Sequence, residues 1–554
     1  MILLVLVVAH TLPLWNTEKH LVGGIEDPAA QAAMPGWYCD HVLAGDLRTD
    51  RYLAPAGVSL ANNYDSPFPM ILTCPLRVLG SHAQFHIFAG LNVLFLVVAA
   101  WMVAGRLFPA SALWQLVYAG AVWWSGFYVA RVHQHYTLLA GVWGFQLLLW
   151  MFLTVDWRRR GRVIGYGILS ALIFAGTIHN LAFLSVPFLI LLGASLRRSR
   201  PLSGRGWVNL GLAGCVGLAV FVGFFWPSLW GFWTEELLRV PADRARYNFD
   251  LLGPFVPWAK NLLYRVLWFE PHPSLERYNA FDPLIVIAFM AFLARGKLRT
   301  QPFFSALVGI AIFGWLYSLG PEFRFAGQVI APNPLDGLFA KIPPLSISRT
   351  PARFALLTYM AMIFLVFAAF RDLQTPRWIP SVALVWIFVT GPVLNGLYQL
   401  PTVHYRAFLP MPALEEISRS PSDTIVVNVP TFFSGDPSQN FLQLFHERPI
   451  TAGYLSYLSY TPKNLSRMAA DPLLSQMNCP GHYFAFQGTG LLGDERALRE
   501  HLLANHFKYF IVNKLALVQD LRCAPLEEWA RKLTTYSWVR VVQESRLYFV
   551  LEIR

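Results

Sequence analysis

Long apolar runs recur from the first residue of the chain to about residue 399, and they constrain its fold more than any other feature. A helix needs roughly 20 apolar residues to cross the hydrocarbon core of a bilayer. Hydrophobic residues make up 55% of the sequence and charged residues 14%, whereas an average soluble domain is roughly 25% charged. The sequence therefore predicts a polytopic α-helical membrane protein with about eleven spans. The predicted spans are 1–15, 84–105, 110–130, 136–156, 163–177, 180–196, 207–226, 283–295, 302–320, 353–370 and 378–399.

Short basic clusters between these runs predict the orientation in the membrane. They are "RRRGR" (158–162), "RRSR" (197–200), "RGKLR" (295–299) and "RDLQTPR" (371–377). Strict alternation of spans places all of them on one side, and Lys and Arg concentrate in cytoplasmic loops. The net charge of +12 is explained by these clusters, so nucleic acid is not an expected partner. The N-terminus is then cytoplasmic, and the two large loops 16–83 and 227–282 lie outside.

Two segments need separate treatment in this topology. The first run is shorter than a full span, so we expect either a tilted, retained first span or a true start upstream. The stretch "SPFPMILTCPLRVLG" (66–80) would break the alternation if it crossed the membrane. It is predicted to lie as an interfacial helix in the membrane surface.

The segment 400–554 is predicted to be an extracytoplasmic α/β domain, following the transmembrane domain 1–399. Its strand signals are 422–430, 506–512 and a terminal hairpin in 538–553 that turns near Glu544 and Ser545. In "GDERALREHLLANH", Asp494 is a plausible N-cap, and Leu498, Leu502 and Leu503 are expected on one helix face. A further helix is expected at "APLEEWARKL", with Pro525 near its start.

The five cysteines favour an oxidising compartment for the outer loops. Cys39 and Cys74 fall in the first outer loop, and Cys479 and Cys523 fall in the C-terminal domain. Two structural disulfides are compatible with this distribution, although spacing does not determine pairing. No Cys or His spacing in the sequence indicates a metal site.

Acidic residues gather in the first outer loop, which is the first candidate for chemistry. They are Glu26, Asp27, Asp40, Asp46 and Asp50, with Asp65 further on. A carboxylate held at a membrane interface is a reasonable general base for activating a hydroxyl acceptor. The alternative for each of these acids is a solvated surface position.

Arginines and histidines from two other outer segments form the second candidate. "YVARVHQHY" (128–136) places Arg131, His133 and His135 at a span boundary. "SISRTPARF" (346–354) carries Arg349 and Arg353 four residues apart, which would share a helix face. Guanidinium groups offer paired donors to phosphate oxygens, so this set suits a phosphate or diphosphate. The alternative is headgroup anchoring by snorkelling arginines.

The second large outer loop, 227–282, is rich in prolines and aromatic residues and is expected to be a rigid lid along the membrane. Asp243, Arg246, Asp250 and Glu270 in this loop could reach the same pocket.

The order of these features resembles the bacterial GT-C fold glycosyltransferases. The resemblance rests on the acidic pair, "DRYLAPAGVSLANNYDSPFPM", "SGFYVARVHQHYTLLAGVW" and "RTPARFALLTYMAM", followed by a C-terminal α/β domain. "PARF" and "RPITAGY" (448–454) also resemble the membrane-protein group described as YfhO-like. In the GT-C family a carboxylate in the first outer loop is the usual base, which corresponds here to Asp27, with Glu26 beside it and Asp40 in reserve.

The resemblance implies a bacterial inner-membrane glycosyltransferase with a periplasmic C-terminal domain. Its donor would be a polyprenyl-phosphate-linked sugar and its acceptor a hydroxyl of a glycan, lipid or protein. A divalent cation is open as a cofactor, although no acidic motif fixes a metal site. One alternative is a non-catalytic protein that binds a lipid-linked glycan for an assembly complex. A transporter is less favoured, because the spans show no clear internal repeat and few intramembrane charges.

Overall fold

The structure is a computed structural model that describes most of the chain. The described residues are 2–17, 19–23, 28, 31–52, 54–55, 57–59, 66–133, 135–199, 203–234, 247–255, 281–339, 341–342, 345, 348, 350–373, 376, 378–397, 399–407, 409–430, 438–451, 466, 470–477, 493–514 and 524–554.

Apolar α-helices form most of the first 400 residues. By length and composition, four helical segments among the described residues can cross a membrane: Ser81–Leu107, Tyr136–Thr154, Gly204–Pro227 and Pro351–Arg371. Shorter apolar helices also occur at Val5–Trp15, Ala112–Trp123, Pro283–Ala294, Phe304–Ser318 and Ile379–Val393. The chain is a membrane protein of mostly helical structure, and the total of about eleven spans stays a prediction.

The α-helices are numbered here along the chain. They are α1 (Ile2–Thr11), α2 (Met34–Trp37), α3 (Pro67–Ile71), α4 (Ser81–Leu107), α5 (Ala112–Trp123), α6 (Gly126–Arg131), α7 (Leu139–Thr154), α8 (Arg160–Phe174), α9 (Asn180–Phe183), α10 (Ser185–Arg198), α11 (Gly204–Thr234), α12 (Pro283–Ala294), α13 (Phe304–Ser318), α14 (Asp336–Phe339), α15 (Ala355–Arg371), α16 (Ile379–Phe388), α17 (Met411–Ser418), α18 (Ser438–His446), α19 (Glu495–Ala504) and α20 (Ala524–Leu533).

Ten β-strands accompany these helices among the described residues. They are β1 (His20–Val22), β2 (Arg48–Thr49), β3 (Val58–Ser59), β4 (Glu322–Phe325), β5 (Gln328–Pro332), β6 (Thr402–His404), β7 (Ile425–Val429), β8 (Phe507–Asn513), β9 (Val539–Glu544) and β10 (Tyr548–Ile553). The pairs β1–β6, β2–β3 and β4–β5 form three two-stranded sheets.

Helices α4, α7 and α15 form the centre of the helical region. The side chains of α15 are almost all buried, from Ala355 to Ala369. Two pairs of polar side chains lie inside the bundle: Trp143 Nε1 donates to Asn92 Oδ1 at 3.2 Å, and the Tyr118 hydroxyl donates to Gln146 Oε1 at 2.8 Å. Pairing removes the cost of burying these polar groups, so the network fixes how the helices pack.

The predicted segments 110–130 and 66–80 are each divided in the structure. The run 110–130 is interrupted at Ser125, where α5 has ended and α6 begins. The run 66–80 is not one helix: α3 is followed by a 3₁₀ helix at Cys74–Leu79. Pro75 cannot donate a backbone hydrogen bond, which explains the break between them. The side chain of Val78 is 91% exposed, as expected for a segment in contact with a membrane surface.

The C-terminal region contains a four-stranded sheet in the order β7-β8-β10-β9. Strands β7 and β8 are parallel, and the other two pairs are antiparallel. The predicted strands and terminal hairpin are therefore confirmed. Asp494 is the N-cap of α19 as predicted, because its side chain accepts from Ala497 N at 3.0 Å.

The prediction that Leu503 shares the buried face of α19 is wrong. Leu498 and Leu502 are fully buried, but Leu503 is 54% exposed. Residues four apart share a helix face, whereas Leu503 follows Leu498 by five positions and points away from it.

Backbone hydrogen bonds join the first outer loop to the C-terminal region. Strand β1 pairs antiparallel with β6, so Leu21 lies opposite Val403. Further along, Ile450 N donates to Arg51 O and Ala54 N donates to Ile450 O, each at 2.9 Å. Because Ile450 also bridges Val426 of β7, the first outer loop extends the edge of the C-terminal sheet.

The C-terminal domain carries a buried histidine that makes its stability depend on pH. Burial lowers the pKa of His446 to about 3, and the charge of Arg448 acts in the same direction. Arg448 N donates to His446 Nδ1 at 3.0 Å, which requires the neutral ring. Below about pH 6.5 the unfolded chain binds a proton that the folded domain does not. The free energy of unfolding should then fall by up to about 1.4 kcal/mol per pH unit until the pKa of about 3 is reached.

Thermal unfolding of the purified protein between about pH 7.5 and pH 5 tests this expectation. His446→Gln, which cannot titrate, should show a shallower fall in unfolding temperature with falling pH. Equal slopes in the two proteins would assign the pH dependence to other groups.

Candidate functional site

Two segments far apart in sequence bring arginine and histidine side chains together. Arg353 Nη2 lies 3.3 Å from His135 Nε2, across a separation of 218 residues. Arg131 is 1% exposed and Arg353 is 8% exposed. The "RVHQH" and "PARF" segments, which the sequence predicts on the same face of the membrane, therefore meet in the structure.

Helix α6 places Arg131 at its last residue. The side chain of Ser125 caps the start of this helix by accepting from Tyr128 N at 3.4 Å. The guanidinium of Arg131 lies over the ring of Phe127, 5.3 Å from its centroid, an arrangement favoured by the negative face of the ring. The chain then turns, with His135 N donating to Arg131 O at 2.8 Å, so His133 and His135 stay beside the arginine.

Arg353 lies in a 3₁₀ turn, Pro351–Phe354, immediately before α15. The next residue, Phe354, packs against Tyr317 and Phe183 with ring centroids 4.0 and 4.9 Å apart. A Cβ on Gly314 would come within 2.8 Å of the Phe354 carbonyl oxygen, so helix α13 approaches this turn closely. The turn is thus rigidly packed, and it aims Arg353 at His135.

The structure does not test whether Arg349 and Arg353 share a face. Helical structure begins at Pro351, and Thr350 before it is not helical, so the helical four-residue spacing does not apply. Arg349 itself lies outside the described residues.

Two tyrosines beside the cluster were not singled out from the sequence. Tyr136 directly follows His135 and is fully buried, and its hydroxyl has no hydrogen-bond partner among the described residues. The Tyr128 hydroxyl lies 2.6 Å from His10 Nε2. A buried phenol without a partner is costly unless a ligand satisfies it. The only sequence signal for Tyr136 is its place at the end of "HQHY".

The backbone just before the acidic pair lies next to the His133 carbonyl, and Pro28, just after the pair, lies against Gly23. A Cβ on Gly23 would come within 2.5 Å of Pro28 Cγ and within 3.2 Å of the His133 carbonyl oxygen. Gly23 N also donates to Pro401 O at 2.7 Å. Glu26 and Asp27, predicted as catalytic residues, lie outside the described residues. The described residues that flank them, Gly23 and Pro28, are in contact range of each other.

Gly23→Ala should therefore damage the site more than an ordinary loop substitution would. Gly23 has φ +86°, which alone costs an alanine roughly 1–2 kcal/mol. Gly296→Ala is the matched control, because Gly296 has φ +67° but nothing within 4 Å of the added Cβ and lies outside both the arginine cluster and the first outer loop. We expect Gly23→Ala to lower any activity of the site at least about tenfold and Gly296→Ala to leave it near the wild-type rate. Equal effects would mean that the contacts of Gly23 do not shape the site.

Asp40, the reserve catalytic candidate, is engaged elsewhere. Its Oδ1 lies 2.7 Å from Arg77 Nε. The neighbouring Cys39 forms a disulfide with Cys74, with 5.5 Å between Cα atoms. This disulfide joins the two cysteines of the first outer loop, whose pairing the sequence left open, whereas Cys479 and Cys523 lie outside the described residues. Asp40 thus helps to hold the first outer loop against the segment before α4.

Comparisons with solved structures give the fold. Over 100% of its length the chain is similar to the arabinofuranosyltransferase AftD from Mycobacteria, with a TM-score of 0.59 and 12% sequence identity. The match covers 40% of the AftD chain. It is also similar to ArnT from Cupriavidus metallidurans, solved bound to undecaprenyl phosphate, with a TM-score of 0.51 and 13% identity. That match covers 99% of this chain and 97% of ArnT.

The chain has the GT-C glycosyltransferase fold. The resemblance inferred from the sequence is therefore confirmed at the level of the fold. No family model and no curated protein matches the sequence.

Two cavities of this GT-C fold flank the first outer loop. A polar cavity of about 310 Å³ is lined by His41, Asp46, Arg48, Thr49, Asp50, Arg51, Pro55 and Gly57. A larger groove of about 440 Å³ is lined mainly by apolar and aromatic side chains. Its walls are Tyr38, Val42, Leu43, Gly45 and Leu47 on the loop and Gly223, Phe224, Trp226, Pro227 and Trp230 on α11. Half-exposed tryptophans at the end of an apolar helix are typical of the membrane interface.

Asp250 has a structural role. It is fully buried, and its carboxylate accepts from Ala326 N at 3.1 Å and Gly327 N at 2.7 Å. These bonds hold the turn between β4 and β5, so the carboxylate of Asp250 stabilises the hairpin. The other candidates of the second large loop, Asp243, Arg246 and Glu270, lie outside the described residues, as does Asp65.

In the part of the chain that the structure describes, no three His, Cys, Asp or Glu side chains form a group that could hold a metal ion. The cluster of Arg131, His135 and Arg353 has the opposite character, since buried guanidiniums suit an anion.

Proposed function

We propose that the protein transfers a sugar from a polyprenyl-phosphate donor to a hydroxyl acceptor on the extracytoplasmic face of a bacterial inner membrane. The observation that carries this proposal is the meeting of Arg353 with His135, next to the buried Arg131. A phosphate supplies the negative charge and acceptor oxygens that such a cluster favours. ArnT, which has the same fold, was solved with undecaprenyl phosphate, and the proposal assigns this class of ligand to the present chain.

The reaction we propose is an inverting transfer in one displacement. Asp27 removes the proton of the acceptor hydroxyl, and the oxygen attacks the anomeric carbon of the donor sugar. The bond between that carbon and the phosphate oxygen breaks, so polyprenyl phosphate leaves with the bonding electron pair. Arg131, Arg353 and Arg349, with His133 and His135, stabilise the negative charge that develops on the leaving phosphate.

The described neighbours of Asp27 support its assignment as the base. Pro28 faces Gly23, and Gly23 approaches the His133 carbonyl. The described residues that bound the acidic pair therefore lie close to one of the two histidines. Asp40 is the weaker candidate, because Arg77 already pairs with it.

The aromatic groove between the first outer loop and α11 supports a lipid substrate. Trp226 and Trp230 are 49% and 46% exposed in this groove. An apolar chain that leaves the bilayer here would remain in contact with protein instead of water. We assign the groove to a lipid chain and the neighbouring polar cavity to a polar acceptor group, which can belong to a glycan, lipid or protein.

The disulfide supports the proposed orientation. Disulfides persist in oxidising compartments such as the bacterial periplasm, and Cys39–Cys74 lies in the first outer loop. We therefore place the loops 16–83 and 227–282 and the domain 400–554 in the periplasm, with the transmembrane domain 1–399 starting from a cytoplasmic N-terminus.

A direct test uses the purified protein in liposomes with a panel of radiolabelled polyprenyl-phosphate sugars. The expected result is release of polyprenyl phosphate that depends on the protein and on an added envelope extract as the source of acceptor. If binding of polyprenyl phosphate is measurable while no sugar leaves any donor, a non-catalytic glycan-binding role replaces the transferase.

A further inference from the structure

His86 connects the end of the first helix to the strand that precedes the acidic pair. It is fully buried on α4, one turn into the helix. His86 Nδ1 lies 3.0 Å from the Leu14 carbonyl oxygen, and Val22 N lies 3.2 Å from His86 Nε2. One ring therefore contacts the backbone on both sides of residues 15–21.

These two contacts define the state of the ring. The Leu14 carbonyl can only accept a hydrogen bond, so Nδ1 must carry a proton and donate. The Val22 amide can only donate, so Nε2 must be unprotonated and accept. His86 is therefore neutral with a fixed tautomer, and a side chain with one donor and one acceptor is needed at this position.

The bond to Val22 acts at the end of β1. The next residue, Gly23, is where the backbone meets the His133 carbonyl and the ring of Pro28. Helix α4 also contacts the same turn from the next position on its face, because a Cβ on Gly90 would lie 3.0 Å from Leu14 Cδ1. The start of the acidic segment is thus fixed against α4 as well as against β6.

We propose that His86 is a positioning residue, which fixes Leu14 and Val22 and thereby holds the backbone at Gly23 against the His133 carbonyl. This inference rests on the proposed transferase function. His86 touches neither donor nor acceptor in this scheme. It acts through the backbone of β1, and a displacement of that backbone by about 1 Å would move the base out of reach of the acceptor hydroxyl.

Three variants test the proposal in the full-length protein in liposomes. His86→Phe fills the same space but removes both hydrogen bonds. His86→Gln keeps one donor and one acceptor. Asn92→Leu is the matched control, because it removes a buried polar side chain that lies about 9 Å further along the same helix and bonds to Trp143 instead of to the backbone of β1.

The expected results separate positioning from general stability. His86→Phe should lower kcat about 10–10²-fold with little change in the KM for the donor, because the arginine cluster is intact. His86→Gln should restore most of kcat. Asn92→Leu should lower thermal stability without this selective loss of kcat. Hydrogen–deuterium exchange of the peptide containing Val22 should be about two- to tenfold faster in His86→Phe than in the wild type.

The outcomes distinguish this inference from the function on which it rests. Unchanged exchange at Val22 in His86→Phe overturns the proposed clamp, whatever the activity. Faster exchange with an unchanged kcat overturns the positioning role alone. A wild-type protein that transfers no sugar overturns the proposed function and the positioning role together.

Discussion

Replacing Asp27 with asparagine is expected to lower kcat by about 10²–10⁴-fold, the usual contribution of a positioned general base. Asparagine has nearly the same size and keeps a polar side chain, but it cannot accept the proton of the acceptor hydroxyl. Binding of the donor should change little, because the groups proposed to hold the phosphate come from α6, the turn after it, Arg349 and the "PARF" turn. The measurement is initial transfer rate in liposomes, normalised to protein abundance.

Two further carboxylates serve as controls for this prediction. Glu26→Gln removes the neighbouring acid, and Asp40→Asn removes the acid that pairs with Arg77. We expect a small effect of Glu26→Gln on kcat and, for Asp40→Asn, a loss of stability in the first outer loop. Wild-type turnover by Asp27→Asn would exclude Asp27 as the base, and a selective loss in either control would reassign the role to that residue.

The sequence predicted those elements whose determinants are local. Strand β7 and the β9–β10 hairpin follow from short apolar runs bounded by turn residues. Asp494 was recognised as a cap because an aspartate before an amphipathic helix satisfies a free backbone amide. The basic clusters predicted topology for a similar reason, since each acts through the loop that contains it.

Contacts between segments that are distant in sequence are harder to predict. The sequence predicts that Arg353 and His135 lie on the same side of the membrane, but it does not predict their contact. Counting spans and basic residues assigns a loop to one side of the membrane and gives no distance between two loops. The roles of His86 and Gly23 depend on which backbone lies opposite them, which no local pattern encodes. The spacing of Arg349 and Arg353 shows a further limit. Residues four apart share a helix face only if one helix contains both of them, and here the helix begins at Pro351.

Neutralising the arginine cluster should have the other large effect, and it discriminates between an enzyme and a binding protein. Arg353→Gln is expected to lower kcat/KM by about 10²–10³-fold, as expected when one group that stabilises a developing oxyanion is lost. Unlike Asp27→Asn, it should also weaken binding of polyprenyl phosphate itself. Arg353→Lys should be intermediate, because it keeps the charge but loses the planar pair of donors.

Arg106 provides the control for simple anchoring of arginines in the headgroup region. It is exposed in the last turn of α4, so Arg106→Gln should leave lipid-phosphate binding unchanged. If Arg106→Gln weakens binding as much as Arg353→Gln does, the cluster acts only as a membrane anchor.

If Arg353→Gln abolishes binding and cellular function while Asp27→Asn and the other acid variants are fully functional, the protein presents a lipid-linked glycan without transferring it. Loss of turnover in Asp27→Asn with retained lipid-phosphate binding is the combination that only a transferase explains, because a base is needed for chemistry and not for binding.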